Sequence, residues 1–322
     1  MSEKTFDVAA LGELLIDFTQ NGVSSQGNSL FEANPGGAPC NVLAMLSKLG
    51  KKTAFIGKVG KDQFGHTLKT TLEEVGINSD GLIFDHEVPT TLAFVHTFAD
   101  GDRDFSFYRK PGADMMLTEL EVNEDLIKRS KVFHFGTLSL TDEIVRMATK
   151  RAVRIAKDHN LLITFDPNLR PPLWKSLEEA KEQIQFGLTQ CDVVKLSEEE
   201  LEFITNIKDI EEAVSYLRSQ YSIPLILITM GAGGSLGFYK NLQVERPAFL
   251  QEHTIETTGA GDTFFGSIIN YVLEYGVENL SEANLAEMLT FANAAASLIT
   301  TKKGALRVMP EKQEVLDFIK SF

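Results

Sequence analysis

Cysteine is scarce in this 322-residue chain: Cys40 and Cys191 are the only two, far apart and in no paired spacing. That excludes a disulfide framework and a C-x-x-C metal site, and it suits a reducing cytosol. Basic residues are outnumbered, 31 Lys and Arg against 45 Asp and Glu, giving a net charge of −14 with no basic block. Nucleic acid is therefore not an expected partner. No apolar run approaches the roughly 18 residues of a membrane span. Met1–Thr5 leads straight into an apolar strand without the layout of a signal peptide. The expectation is a cytoplasmic protein with no membrane partner. Two catalytic signatures are also missing, the P-loop G-x-x-x-x-G-K-S/T and the nucleophile elbow G-x-S-x-G. The six histidines have no metal-ligand spacing, and His134 reads as a packed or hydrogen-bonded strand residue.

What is present is ordinary globular material, 43% hydrophobic and 24% charged, enough for a sizeable core. Short apolar runs alternate with amphipathic stretches. Strands are expected at Phe6–Leu11, Thr53–Val59, Val132–Phe135, Leu161–Phe165, Val193–Leu196 and Leu225–Met230. Helices are expected at Ala38–Leu49, Gln63–Val75, Asp142–Asp158 and Ile210–Gln220, with more in the C-terminal third. The βαβα order points to one α/β domain over 1–322, a parallel sheet with helices on both faces. Strand-like stretches without helices, at about 14–33 and 82–115, suggest a small sheet projecting from it, suited to a lid or a homodimer contact.

Glycine clusters mark the candidate sites. Thr257-Thr258-Gly259-Ala260-Gly261-Asp262 follows an extended run and opens a helix with an apolar face. Glycines let successive N–H groups point one way, and a helix start adds free amides and partial positive charge. Together these make an anion hole suited to a phosphoryl group. Asp262 at that entrance either accepts a proton from an attacking hydroxyl or simply caps the helix. A second pair, Gly36-Gly37, precedes Ala38-Pro39-Cys40-Asn41 and allows a backbone to approach a polar ligand, or only a tight turn. The third cluster, Gly231-Ala232-Gly233-Gly234, is not a dinucleotide fingerprint, because hairpin strands rather than a helix follow it.

In open α/β sheets, ligands bind beyond the carboxyl ends of strands. Asp17, Asp166, Asn168, Arg170, Lys195, Ser197 and Glu200 all fall there. One such residue is usually a cap; several beside two glycine-rich turns suggest a site.

These residues resemble the ribokinase-like (PfkB) carbohydrate kinases. Thr258–Asp262 is similar to the family's C-terminal signature and Gly36–Asn41 to its N-terminal one. Gly12-Glu13, Gly57–Asp62 and Gly304-Ala305 extend the likeness from end to end. Asp166–Trp174, Phe107-Tyr108-Arg109 with Ala113-Asp114, and Val194–Glu200 resemble the fructokinase branch.

The resemblance implies a Rossmann-type three-layer α/β/α core with a β-sheet lid, and transfer of the γ-phosphoryl of ATP to fructose, giving fructose 6-phosphate. Asp262 would be the base, and Gly259, Ala260 and Gly261 the anion hole. Asp17, Gly36, Gly37, Asn41, Phe107, Arg109 and Arg170 would meet the sugar. Lys195, Thr229, Gly231, Gly233 and Asn293 would border the nucleotide. Glu200 would hold Mg²⁺ through water, and Glu256 is the candidate for a K⁺ site. Two positions depart from the pattern: Ser197 replaces the Asn of N-x-x-E, and Glu256 replaces an Asp. A kinase for 2-keto-3-deoxygluconate or another furanose-forming sugar remains an alternative, since Arg109 and Arg170 suit a carboxylate. So does a non-catalytic sugar sensor.

Overall fold

The computed structural model describes residues 4–97 and 103–322, so Phe98 and the turn Ala99–Asp102 lie outside the described residues. The chain runs through β1 (Phe6–Leu11), β2 (Leu15–Val23), β3 (Ser29–Gly36), α1 (Ala38–Lys48), β4 (Thr53–Gly60), α2 (Gln63–Glu74), β5 (Ile77–Asp85), β6 (Leu92–Thr97) and β7 (Arg103–Tyr108). After a short helix, α3 (Glu124–Lys128), come β8 (Ser130–Gly136), α4 (Glu143–Asp158), β9 (Leu162–Asp166), α5 (Leu177–Gln190), β10 (Val193–Ser197), α6 (Glu198–Thr205), α7 (Ile210–Gln220) and β11 (Leu225–Thr229). The hairpin β12 (Ser235–Tyr239) and β13 (Leu242–Arg246) is followed by α8 (Ala260–Tyr275), α9 (Glu282–Ile299) and α10 (Lys312–Ser321).

Nine described strands form one sheet in the order β13-β12-β11-β10-β9-β8-β1-β4-β5. From β5 to β11 every neighbouring pair is parallel, and the β12–β13 hairpin closes one edge antiparallel. The central strands read as unbroken apolar runs because both of their faces are covered. In β1, Val8 and Ala10 point into a core shared with α1, α8 and α9. Ala9 and Leu11 point into a second core, with α4, α5, α6 and α7. This is the three-layer α/β/α architecture expected from the sequence.

Helix entrances follow their local chemistry. Asp62 caps α2 through the Gly65 amide, Asp142 caps α4, and Ser197 with Glu200 forms a capping box on α6.

A second sheet, β3-β2-β6-β7, stands off the first. Its register puts Asn34, Asp17, Ala93 and Phe107 in one row across the four strands, hence on one face. Phe18, next to Asp17 on β2, turns the other way. It stacks on Phe94 at 4.8 Å and meets Phe64 of α2 edge-on at 5.7 Å, which ties the small sheet to the core. Residues Leu82–Asp85, expected among the projecting strands, instead complete β5 at the edge of the large sheet. Residues 109–115 return to the core as a turn and a short 3₁₀ segment rather than as a strand.

Candidate active site

The strand order turns at β1, flanked by β4 on one side and β8 on the other. The carboxyl ends of β1, β9 and β10 open there onto a cavity of about 700 Å³. The small sheet supplies one wall through Leu15, Asp17 and Phe107. Glu13, Gly37, Asn41, Asn168, Arg170, Lys195 and Glu200 line the rest, and Thr257–Gly259, Gly261 and Asp262 close it. A second cavity of about 350 Å³ holds Thr229, Gly231, Ala260 and Asn293. Thr257 and Gly261 line both cavities, so the two meet at the start of α8.

Asp262 is not the cap of that helix. Gly259, at φ 77°, holds the N-cap position, no side chain caps it, and Asp262 is the third helical residue. A left-handed φ at this tight turn is what glycine provides without strain. The carboxylate of Asp262 reaches away from the helix axis: Oδ2 accepts from Asn41 Nδ2 at 2.8 Å and Oδ1 from Asn168 Nδ2 at 3.2 Å. Burial, reinforced by the negative charge of Asp166, pushes its pKa up to about 6, against the Asn41 hydrogen bond and the charges of Lys195 and Arg170.

Lys195 is the buried cation of the site. Its Nζ donates to both carboxylate oxygens of Asp166, at 3.1 and 3.3 Å. The same ammonium is 3.1 Å from the point where a Cβ on Gly261 would sit, so it lies against the first turn of α8. Burial opposes its charge, but Asp166, Glu200 and Asp262 outweigh that and hold its pKa above the ordinary lysine value. Glu200 accepts from the amides of Leu169 and Ser197, each at 2.8 Å. Burial raises its pKa despite the neighbouring Lys195.

On the wall formed by the small sheet, burial lifts half-buried Asp17 to about 7, helped by Glu256 and Asp262 and opposed by Arg170. Gly37, at φ 134°, is the N-cap of α1, and a Cβ there would run into the carbonyl oxygen of Glu13. Gly36 lies behind the wall, where a Cβ would strike the Asp17 carboxylate. Asn41 is buried, and its Oδ1 has no hydrogen-bond partner.

Several expected residues stand elsewhere. Arg109, expected to approach the substrate, is only 4% exposed and does not line the cavity. Its guanidinium donates to Asp114 Oδ2, to Thr141 Oγ1 and to the Leu138 carbonyl, each within 2.9 Å. Thr91, just before β6, bonds the other oxygen of Asp114, so this ion pair ties together the root of the small sheet. Strand alternation places 107 and 109 on one face, but β7 ends at Tyr108 and the chain turns inward. Gly233 falls just outside the second cavity. Asn293 lines it, with its Nδ2 donating to the carbonyls of Arg246 and Pro247. Glu256 is buried behind the α8 entrance, accepting from the Gly304 amide at 3.3 Å.

Among the lining residues left unassigned in the sequence, Glu13 and Asn168 bear on the chemistry. Glu13 accepts from the Ala38 amide at 2.8 Å, and burial pushes its pKa up to about 7. Asn168 was visible only as one more polar residue past a strand end. Nothing in the sequence connects it to a carboxylate 94 positions away.

A helix start without a side-chain cap where two cavities meet, with a buried ammonium and an aspartate in the larger one, suits the class of enzymes that move an anionic group to a small polar acceptor. Comparison with known proteins makes this specific. A model of the pfkB family of carbohydrate kinases matches residues 5–312. Fructokinase-1 of Zea mays is 43% identical over 314 residues, 97% of each chain. The crystal structure of a fructokinase with bound ATP from Xylella fastidiosa superposes with a TM-score of 0.87 at 29% identity, covering 98% of each chain. That of a double mutant of the fructokinase from Vibrio cholerae O395, with fructose, ADP and potassium ion bound, gives 0.87 at 30% identity, covering 99% of this chain and 100% of that one. The chain belongs to the pfkB family of carbohydrate kinases.

Proposed function

We propose that the protein phosphorylates fructose, transferring the γ-phosphoryl group of ATP to a sugar hydroxyl with fructose 6-phosphate and ADP as products. The observation that carries this reading is the carboxylate of Asp262 in the larger cavity, one residue from Gly261, which lines both cavities. The acceptor would occupy the larger cavity under the small sheet and the nucleotide the smaller one, with the γ-phosphoryl at Gly261. Asp262 takes the proton of the attacking hydroxyl while that oxygen bonds to phosphorus and the bond to the ADP oxygen breaks. The first-turn amides of α8 and the Lys195 ammonium neutralise the charge on the moving group. The Asp17 carboxylate is a ready acceptor for sugar hydroxyls, and Asn41 lines the same cavity.

No group of three or more metal-ligating side chains exists among the described residues. That fits Mg²⁺, which usually keeps its waters and binds phosphates with one or two carboxylates. Glu200 would hold it through water, and Mg²⁺ would add charge neutralisation on the phosphates. Glu256 is the candidate carboxylate for K⁺; its burial beside the Gly304 amide supports a role in shaping the turn behind α8. Commitment of the Arg109 guanidinium to Asp114 leaves Arg170 alone for a substrate carboxylate, which favours a neutral sugar over 2-keto-3-deoxygluconate. Homodimer contact through the edge strands β3 and β7 fits their exposed Leu30, Phe31 and Tyr108. A cytoplasmic location rests on two buried, free cysteines. No helix among the described residues is long and apolar enough to cross a membrane.

The test is ADP release with MgATP across fructose, ribose, 2-keto-3-deoxygluconate and a nucleoside. The highest kcat/KM is expected with fructose. Preference for the acid sugar would overturn the substrate assignment, and stimulation by none would overturn the kinase reading itself.

A further inference from the structure

Asn168 has a backbone that only a few side chains tolerate: its φ is 47°, in the left-handed region. Three separate elements hold it there. Its own amide donates to Asp166 Oδ1 at 3.1 Å. The carbonyl of Pro167 accepts from the Thr137 amide at the end of β8. The Leu169 amide donates to Glu200 Oε1 on α6 at 2.8 Å. A strained residue pinned from both sides in the chain signals that its side chain must point somewhere in particular. It points at Asp262: Asn168 Nδ2 is 3.2 Å from Oδ1, while Asn41 Nδ2 is 2.8 Å from Oδ2.

We infer that Asn168 is a positioning residue for the base: with Asn41 it clamps the two oxygens of the Asp262 carboxylate, fixing its plane toward the acceptor hydroxyl. This rests on the reading of Asp262 as the base. An amide N–H stabilises the ionised carboxylate over the acid, so the clamp also keeps a buried group usable as a base near neutral pH. The charged and titratable groups facing Asp262 are Asp166 from β9, Lys195 from β10, Arg170 from the 166–170 loop, Asp17 from the small sheet and Cys40 from α1. Asp166 and Asp17 work against ionisation, and the Asn41 hydrogen bond, Lys195 and Arg170 work for it.

The test measures kcat and fructose KM between about pH 5 and 8, with thermal melting, for Asn168→Gly, Asn168→Asp and Asp262→Asn. Glycine accepts a positive φ at no steric cost, so Asn168→Gly keeps the path of the chain and removes the amide. Its kcat is expected to fall about tenfold with fructose KM changed less, and the acid limb to rise by roughly one pH unit, while melting is unchanged or higher. Asn168→Asp keeps the side-chain shape but sets a carboxyl against Asp262, and a larger upward shift of the limb is expected. It decides the matter if the glycine variant folds poorly. An acid limb at its wild-type position in both variants would overturn the inference, as would a KM rise without any shift, which would make Asn168 a sugar contact. Near-normal turnover in Asp262→Asn would instead remove the base reading on which the inference stands.

Discussion

Replacing Lys195 by methionine removes one buried charge and leaves its partner behind. Lys195 and Asp166 are 7% and 2% exposed, and the ammonium and carboxylate are bonded at 3.1 Å. Breaking a buried pair from one side typically costs ~3–5 kcal/mol, because the remaining charge stays uncompensated. Asp166 is not easily rearranged, since its Oδ1 also accepts the Asn168 amide. The expected loss for Lys195→Met in denaturant unfolding is therefore about 3–5 kcal/mol. The double variant Lys195→Met/Asp166→Asn is expected to recover part of that loss, because Asp166 no longer carries an unpaired charge, although Glu200 and Asp262 still lack the cation. Turnover separates the two roles of the lysine. With no cation beside Gly261, kcat is expected to fall at least ~10²-fold in both variants, the cost of removing an electrostatic stabiliser of the moving group. A single variant losing less than ~0.5 kcal/mol, the range of an ordinary surface substitution, would refute the stability argument. Wild-type kcat in the double variant would refute the catalytic one.

Three further outcomes follow from the structure. With the Asp262 pKa at about 6, kcat/KM should fall on the acid side of that value, and a limb near the ordinary Asp value of about 4 would count against the burial argument. Because the folded state raises this pKa above 3.8, it holds the proton more tightly than the unfolded chain. The associated stability is present at low pH and lost as pH rises through about 6, so Asp262→Asn should be the more stable protein at neutral pH, read by denaturant unfolding. Arg109→Met should cost ~3–5 kcal/mol by stranding Asp114, with much of it returned by Asp114→Asn in the same chain. A loss of fructose affinity at unchanged stability would return Arg109 to the substrate contacts.

The alternation of strands and helices was legible because each element obeys its own period, and α7 spans Ile210–Gln220 as read from the sequence. β5 was misjudged because Asn78-Ser79-Asp80-Gly81 interrupts its apolar run, leaving only Leu82–Asp85 looking like a strand. The register shift between Ala54 and Ile56 lets β4 pair with that polar stretch at the sheet edge. In the site, Asp262 could be found because glycine turns and helix starts leave local marks. Whether it caps or catalyses depends on where its side chain points, and that is set by Asn41 and Asn168 from distant parts of the chain. The place of Arg109, away from the cavity, was hidden for the same reason. Its neighbours in sequence are lid residues, while the neighbours that bind its guanidinium include Leu138 and Thr141.

The most direct measurement is fructose-dependent ADP release from MgATP by the wild-type protein and by Asp262→Asn under the same conditions. Fructose is expected to stimulate release by the wild type, and the variant to be slower by at least ~10²-fold, the low end for a positioned base. Equal rates in the two proteins, or no response of the wild type to fructose, would contradict the account.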